Sequence, residues 1–178
     1  MNRKVLLGLA VIAGAYWFSS KLLLPKPSLD FYPLLPCAFC TNNLIEERKV
    51  WSNADYIVMA PHQPLVPGHL LLVPRIHTNQ LNPSTGNNFL TAESKILETY
   101  SQTFGEQKFG GIVKIQKIGL AAGQTVPHYH IHYYPRMKNS SHLGFQLWYA
   151  WDSLFGRPLT STRLVEYIQV WKSYFSIV

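Results

Sequence analysis

Hydrophobic and polar positions divide the chain into stretches of different period. Arg3 and Lys4 precede an uncharged run from Val5 to Ser20, which Lys21 and Leu22-Leu23-Leu24 extend. With the Lys21 amine snorkelling to the headgroups, this run approaches the roughly 20 residues that a helix needs to cross a bilayer. Tyr16-Trp17-Phe18 would sit near an interface. The expectation is an N-terminal transmembrane helix over residues 1–24 and a single-pass membrane protein. A signal peptide cut near Ala13-Gly14-Ala15 is the rival, opposed by the apolar run and bulky aromatics that continue past that site. Over residues 25–36, Pro25, Pro27, Pro33 and Pro36 predict an extended, semi-rigid linker.

Shorter patterns follow. Asp55–Ala60 and His69–Val73 have the composition of strands, and the Pro- and Gly-rich stretch from Pro61 to Gly68 forces a turn between them. Leu90, Ile96, Leu97, Tyr100 and Phe104 recur at mostly three- and four-residue spacing. They predict a helix over 89–104, with Asn87, Asn88 or Thr91 as caps. Gly110-Gly111 opens a strand over 112–118, and Gly119 to Gln124 is a small-residue loop. His128, His130 and His132 then alternate with Tyr129, Ile131 and Tyr133. On a strand this puts three imidazoles on one face and an apolar surface on the other. The tail carries Trp148, Tyr149, Trp151 and Phe155 and a helical pattern over 163–175. A packed C-terminal extension over 139–178 accounts for it better than a separate module.

Composition changes this picture little. With 178 residues and 47% hydrophobic content, one domain with a proper core is the default. The net charge of +7 comes from basic residues scattered singly, four of them at or before Lys26. No basic stripe is present, which argues against a nucleic-acid partner and leaves attraction to anionic lipid and phosphorylated ligands. Cys37 and Cys40, the two cysteines, are too few and too close for a disulfide framework.

Imidazole can be nucleophile, proton donor or metal ligand near neutral pH. Three on one face therefore suggest a reactive cleft, against the plainer alternative of a solvated polar face. His77 is a metal-ligand candidate, His69 holds its loop by hydrogen bonding without a catalytic role, and His62 and His142 are isolated and exposed.

Three ordered segments resemble the histidine triad (HIT) family of nucleotide hydrolases and transferases: Cys37-Ala38-Phe39-Cys40, Pro67 to His77, and Gly123 to Arg136. The cysteine pair is similar to that of the zinc-bearing members. The resemblance, spanning a domain at 37–138, implies an α+β HIT-like fold with an antiparallel sheet of about five strands and a long helix, paired as a homodimer. It implies that His130 is the nucleophile that forms a nucleotidyl-imidazole, that His132 contacts phosphate or leaving group, and that an amide near the α-phosphate is supplied by Gln116. Gln124 and Thr125 can donate hydrogen bonds to phosphoryl oxygens, or else satisfy their own loop. Pro61 stands where the family places an acid or amide for the ribose hydroxyls, so Pro61-His62-Gln63 puts nucleoside recognition in question.

A neutral imidazole attacking an α-phosphate splits one hard step into two easier ones. The expected function is a membrane-anchored nucleotide hydrolase working through His130. The alternatives are a nucleotidyl transferase or phosphorylase, and a non-catalytic nucleotide- or metal-binding module. Zinc favours four N/S ligands in a closed tetrahedron, which predicts a structural zinc held by Cys37, Cys40, His77 and His128, against a free or oxidised dithiol.

Overall fold

The structure, a computed structural model, describes residues 37–41, 43–79, 86–119 and 122–178. Five strands form one antiparallel sheet in the order β1-β2-β3-β5-β4: β1 Lys49–Ser52, β2 Tyr56–Met59, β3 Leu70–Pro74, β4 Phe109–Gln116 and β5 Ile131–Met137. Among the described residues four helices run before, between and after them, α1 Leu44–Arg48, α2 Gly86–Phe104, α3 His142–Phe155 and α4 Ser161–Ile177.

Strands β2 and β3 are buried at every position, because the sheet is covered on both faces there. This is why their apolar residues run continuously rather than alternate. On one face Val58, Leu72, Ile131 and Tyr133 pack against Ile96 and Tyr100 of α2 and Ile168, Trp171 and Phe175 of α4. On the other, Ile57, Met59, Leu71 and Val73 meet Cys37, Phe39 and Ile45, while Leu65 and Tyr134 meet Phe145 of α3. The segment 37–48 and helix α3 thus cover separate parts of the second face and leave a cleft above β3 and β5.

Both C-terminal helices begin with a hydroxyl cap: Ser141 Oγ accepts from the Gly144 N–H and Thr160 Oγ1 from the Arg163 N–H. The two helices and the link between them clamp the loop ahead of β3. The Gln63 amide donates to the Asp152 carbonyl at 3.1 Å, the Leu159 N–H to the His62 carbonyl at 3.1 Å, and the Tyr167 hydroxyl to the His69 carbonyl at 2.8 Å.

At the hinge of this loop Gly68 has φ +91°, and an added Cβ would lie 2.6 Å from Pro135 Cγ and 3.1 Å from the Phe104 ring. Gly68→Ala is therefore expected to cost about 2–4 kcal/mol, combining overpacking with a left-handed backbone. Chemical denaturation of the purified variant measures it; a loss under ~1 kcal/mol would show that the hinge can relax.

The expected strands and helices appear with shifted ends, and β4 starts at Phe109, ahead of the Gly110-Gly111 pair, with a register irregularity between Phe109 and Gly111. Helix α3 lies in the aromatic-rich tail, where the sequence pattern suggested no element. The expected transmembrane helix and single-pass membrane localisation are corrected: among the described residues no helix is long and apolar enough to cross a membrane. The most apolar, α3, has 14 residues and spans about 21 Å, short of the ~30 Å hydrocarbon core. Helices α2 and α4 carry Glu93, Lys95 and Glu98, and Arg163, Glu166 and Lys172. Residues 1–24 and the linker 25–36 lie outside the described residues.

Candidate functional site

Strand β5 pairs with β3 through Leu70↔Tyr133, Leu71↔His132 and Leu72↔Ile131. Alternation sends Ile131 and Tyr133 to the helix-covered face and His132 and Tyr134 to the cleft. His128 and His130 precede the regular strand, and local contacts set their rings.

The His130 Nδ1 lies 2.7 Å from the His128 carbonyl. A ring nitrogen can satisfy a carbonyl only as an N–H donor, so the lone pair of neutral His130 is on Nε2. Burial pushes the His130 pKa down, which keeps that lone pair available at neutral pH.

A second chain of contacts sets His132. The Leu65 N–H donates to His69 Nδ1 at 3.1 Å, and His69 Nε2 lies 2.9 Å from His132 Nδ1. The Gln63 carbonyl also approaches the His69 ring, but the Leu65 N–H is aimed at Nδ1 and decides the tautomer. His69 therefore carries its hydrogen on Nε2 and donates to His132, which leaves His132 with an Nε2–H donor. Burial holds His69 well below its usual range, with the His132 ring adding to the effect. Burial, then His130 and Lys117, lower His132 to about 3. Tyr134 packs over both rings, 4.3 Å from His69 and 6.0 Å from His132 between centroids.

These depressed values have a stability consequence. His132 stays neutral when folded and binds a proton below pH ~6.5 when unfolded, so its contribution is complete above pH ~6.5 and is lost progressively as pH falls toward ~3. Unfolding free energy measured between pH 7 and pH 4 is expected to fall on acidification, with a shallower slope for His132→Gln; equal slopes would contradict the assignment.

The third histidine faces elsewhere. His128 Nε2–H donates to the Pro74 carbonyl at 2.9 Å, which turns Nδ1 toward Cys37 Sγ at 3.5 Å and Cys40 Sγ at 3.4 Å. His77 Nδ1 is 3.2 Å from Cys40 Sγ. One ligand atom from each of these four residues falls within 4.8 Å of the others. A tetrahedral zinc with Zn–S about 2.3 Å and Zn–N about 2.0–2.1 Å requires S···N separations of about 3.6 Å, close to those present. Burial and the neighbouring Cys37 sulfur push the Cys40 thiol up to about 11, and both cysteines are free of disulfides. Two sulfurs facing two imidazole nitrogens fit a cation. Phe39 stands edge-on between the two sites, 5.6 Å from His128 and 5.4 Å from His130, and separates the cluster from the cleft.

The cleft has a volume of about 560 Å³; Phe39, Arg48, Pro61, Lys117, Thr125 and Tyr149 are among the residues lining it with His69, His130 and His132. Thr125 is exposed at its wall. Gln124 also borders it, but is buried: its Oε1 accepts from the Gly119 N–H at 2.7 Å and its Nε2 donates to the Val126 carbonyl at 2.8 Å. Its amide organises the loop. Gln116 pairs with Ile131 and so shares the helix-covered face, where Tyr129 donates to it at 3.4 Å. Lys117, one residue on, faces the histidines instead. His69 and Lys117 are the residues that sequence reasoning missed. His69 follows the Pro67-Gly68 turn, a signal read only as loop bonding, and Lys117 is adjacent to the expected amide.

A five-stranded antiparallel sheet that presents these histidines beside a two-cysteine, two-histidine cluster defines the class. The HIT domain matches residues 42–139, and the chain belongs to the HIT domain family. An "Uncharacterized HIT-like protein" of Chlamydia trachomatis is 36% identical over 90 residues, covering 49% of this chain and 79% of its own. The asymmetrical bis(5'-nucleosyl)-tetraphosphatase of Schizosaccharomyces pombe is 34% identical over 79 residues, 43% of this chain and 42% of its own. In fold, the chain is similar to a zinc-bound histidine triad family protein from Mycobacterium smegmatis, with TM-score 0.55 and 20% identity over 79% of this chain and 94% of that one.

Proposed function

We propose that this chain is a nucleotide hydrolase that acts at an α-phosphate through a nucleotidyl-histidine intermediate on His130. The observation that carries the reading is the 2.7 Å contact of His130 Nδ1 with the His128 carbonyl, which fixes the tautomer and leaves Nε2 as the nucleophilic atom. A buried neutral imidazole loses no time to deprotonation before attack. His132, fixed by His69 as an Nε2–H donor, and Thr125 at the cleft wall offer hydrogen bonds where phosphoryl charge develops. Gln124 acts through the loop it shapes. A relative that is a bis(5'-nucleosyl)-tetraphosphatase supports the substrate class.

Cys37, Cys40, His77 and His128 would hold a structural zinc. When bound it would cross-link the 37–40 turn to the end of β3 and the approach to β5. His128 is spent there, leaving His130 and His132 for chemistry.

The test is a covalent trap. Incubation with a dinucleoside polyphosphate, quenching in alkali because imidazole–phosphorus bonds are acid-labile, and peptide mass spectrometry should place a nucleotidyl group on His130. Release of nucleoside monophosphate with the adduct on another residue, or with none, would refute the assignment.

A further inference from the structure

Lys117 leaves β4 on the side opposite Gln116 and lines the cleft with His130 and His132. Its Nζ lies 3.7 Å from the position a Cβ on Gly123 would take, so the amine lies against the loop that carries Gln124 and Thr125. Among the described residues it has no carboxylate partner, and no Asp or Glu lines this cleft. Of the three histidines of the triad, His130 and His132 line the cleft with Lys117, and His128 does not. The cation therefore acts on the reactive end of the triad. We infer that Lys117 binds the departing phosphate chain of the substrate, so that the cleft selects phosphoanhydrides over phosphoramidates and esters.

This deepens the hydrolase reading and rests on it. A phosphate leaving from an anhydride is stable as an anion and needs a cation to receive it. An amine leaving from a phosphoramidate, or an alkoxide from an ester, needs a proton as the bond breaks. His132 is a poor source of one. It offers the N–H of a neutral imidazole, which orients and polarises an oxygen without surrendering its proton. Lys117 stabilises an anionic leaving group at no proton cost.

The step balances without a co-reactant. His130 Nε2 forms a bond to the α-phosphorus while the bond from phosphorus to the bridging oxygen breaks, and its electron pair leaves on the phosphate chain beside Lys117. Water then attacks phosphorus, the N–P bond breaks, its pair returns to Nε2, and the proton from water passes to solvent.

The experiment compares diadenosine triphosphate with adenosine 5'-phosphoramidate. Wild type is expected to favour the anhydride by at least about 100-fold in kcat/KM, and Lys117→Met to lower the anhydride value by about 30-fold or more and the phosphoramidate value by no more than about threefold. Lys117→Arg should stay within about tenfold of wild type on the anhydride. Equal losses on both substrates, or a wild type that prefers the phosphoramidate, overturn the proposal. Calorimetry with ADP decides the binding role without turnover: Lys117→Met should weaken ADP at least about tenfold while adenosine is unaffected. Unchanged ADP affinity overturns the proposal. Lys117-dependent ADP binding in a protein that forms no His130 adduct upholds the lysine's role and refutes the hydrolase reading alone.

Discussion

His130→Gly is expected to leave less than about a thousandth of the wild-type rate, a loss above ~4 kcal/mol of transition-state stabilisation. The reason is chemical: without Nε2 there is no atom to carry the nucleotidyl group, and water must attack the anionic α-phosphate directly. Neighbouring groups cannot replace it. His132 has its Nδ1 occupied by His69 at 2.9 Å, and His128 is turned toward the cysteines. His130→Asn serves as the companion variant, since its amide keeps a donor for the His128 carbonyl and separates lost chemistry from lost fold. His130→Asn should unfold within about 1–2 kcal/mol of wild type, whereas His130→Gly, which empties a buried ring site, should cost about 2–4 kcal/mol and still unfold cooperatively. Single-turnover release of nucleoside monophosphate is the measurement. A variant retaining more than about a tenth of the wild-type rate, a cost under ~1.4 kcal/mol, would place the nucleophile elsewhere.

Removal of metal should have the largest effect on stability. Protein purified without chelator is expected to carry about one zinc per chain, and EDTA or Cys37→Ser to lower Tm by about 10 °C or more, equivalent to roughly 3–5 kcal/mol at this size. Cys37 is buried with Phe39 and Ile45 against Met59, Leu71 and Val73, so loosening the cluster exposes an apolar patch as well as breaking bonds. Without a cation, burial and Cys37 hold the Cys40 thiol near 11 and burial holds His128 near 4. At neutral pH the empty site would thus hold a protonated Cys40 thiol beside a neutral imidazole. Metal must displace thiol protons, so affinity should fall as pH falls. Metal analysis and thermal unfolding with and without chelator check this. Less than about half an equivalent of zinc, or a Cys37→Ser variant as stable as wild type, would contradict a structural site.

Much of the fold was legible because local patterns carried it. The strand on either side of the Pro61–Gly68 loop and the helix ending at Phe104 are visible as runs of fixed period, and they appear within a few residues of the expected ends. Helix α3 was not legible. Its exposed residues include Leu143, Leu147, Trp151 and Phe155, so the polar face that marks an amphipathic helix is missing. The N-terminal apolar run was legible only as composition, and no described helix bears out a membrane span.

Within the site, the sequence by itself determined which chemistry was on offer: alternating histidines, a cysteine pair, and a glycine-bounded turn ahead of His69. Spacing along a strand decides which face a side chain takes, and that is a local property. Tertiary structure decided how those histidines divide. His128 joins cysteines about ninety residues away in the chain, His130 is set by a backbone carbonyl, and His132 is set by His69 across β3 and β5. It also decided that Lys117 rather than Gln116 faces the cleft, because the cross-strand register of Gln116 with Ile131 assigns the face. Ring orientation, tautomer and proton affinity depend on what packs around each imidazole, and those neighbours are brought together by sheet pairing and by the C-terminal helices, not by position along the chain.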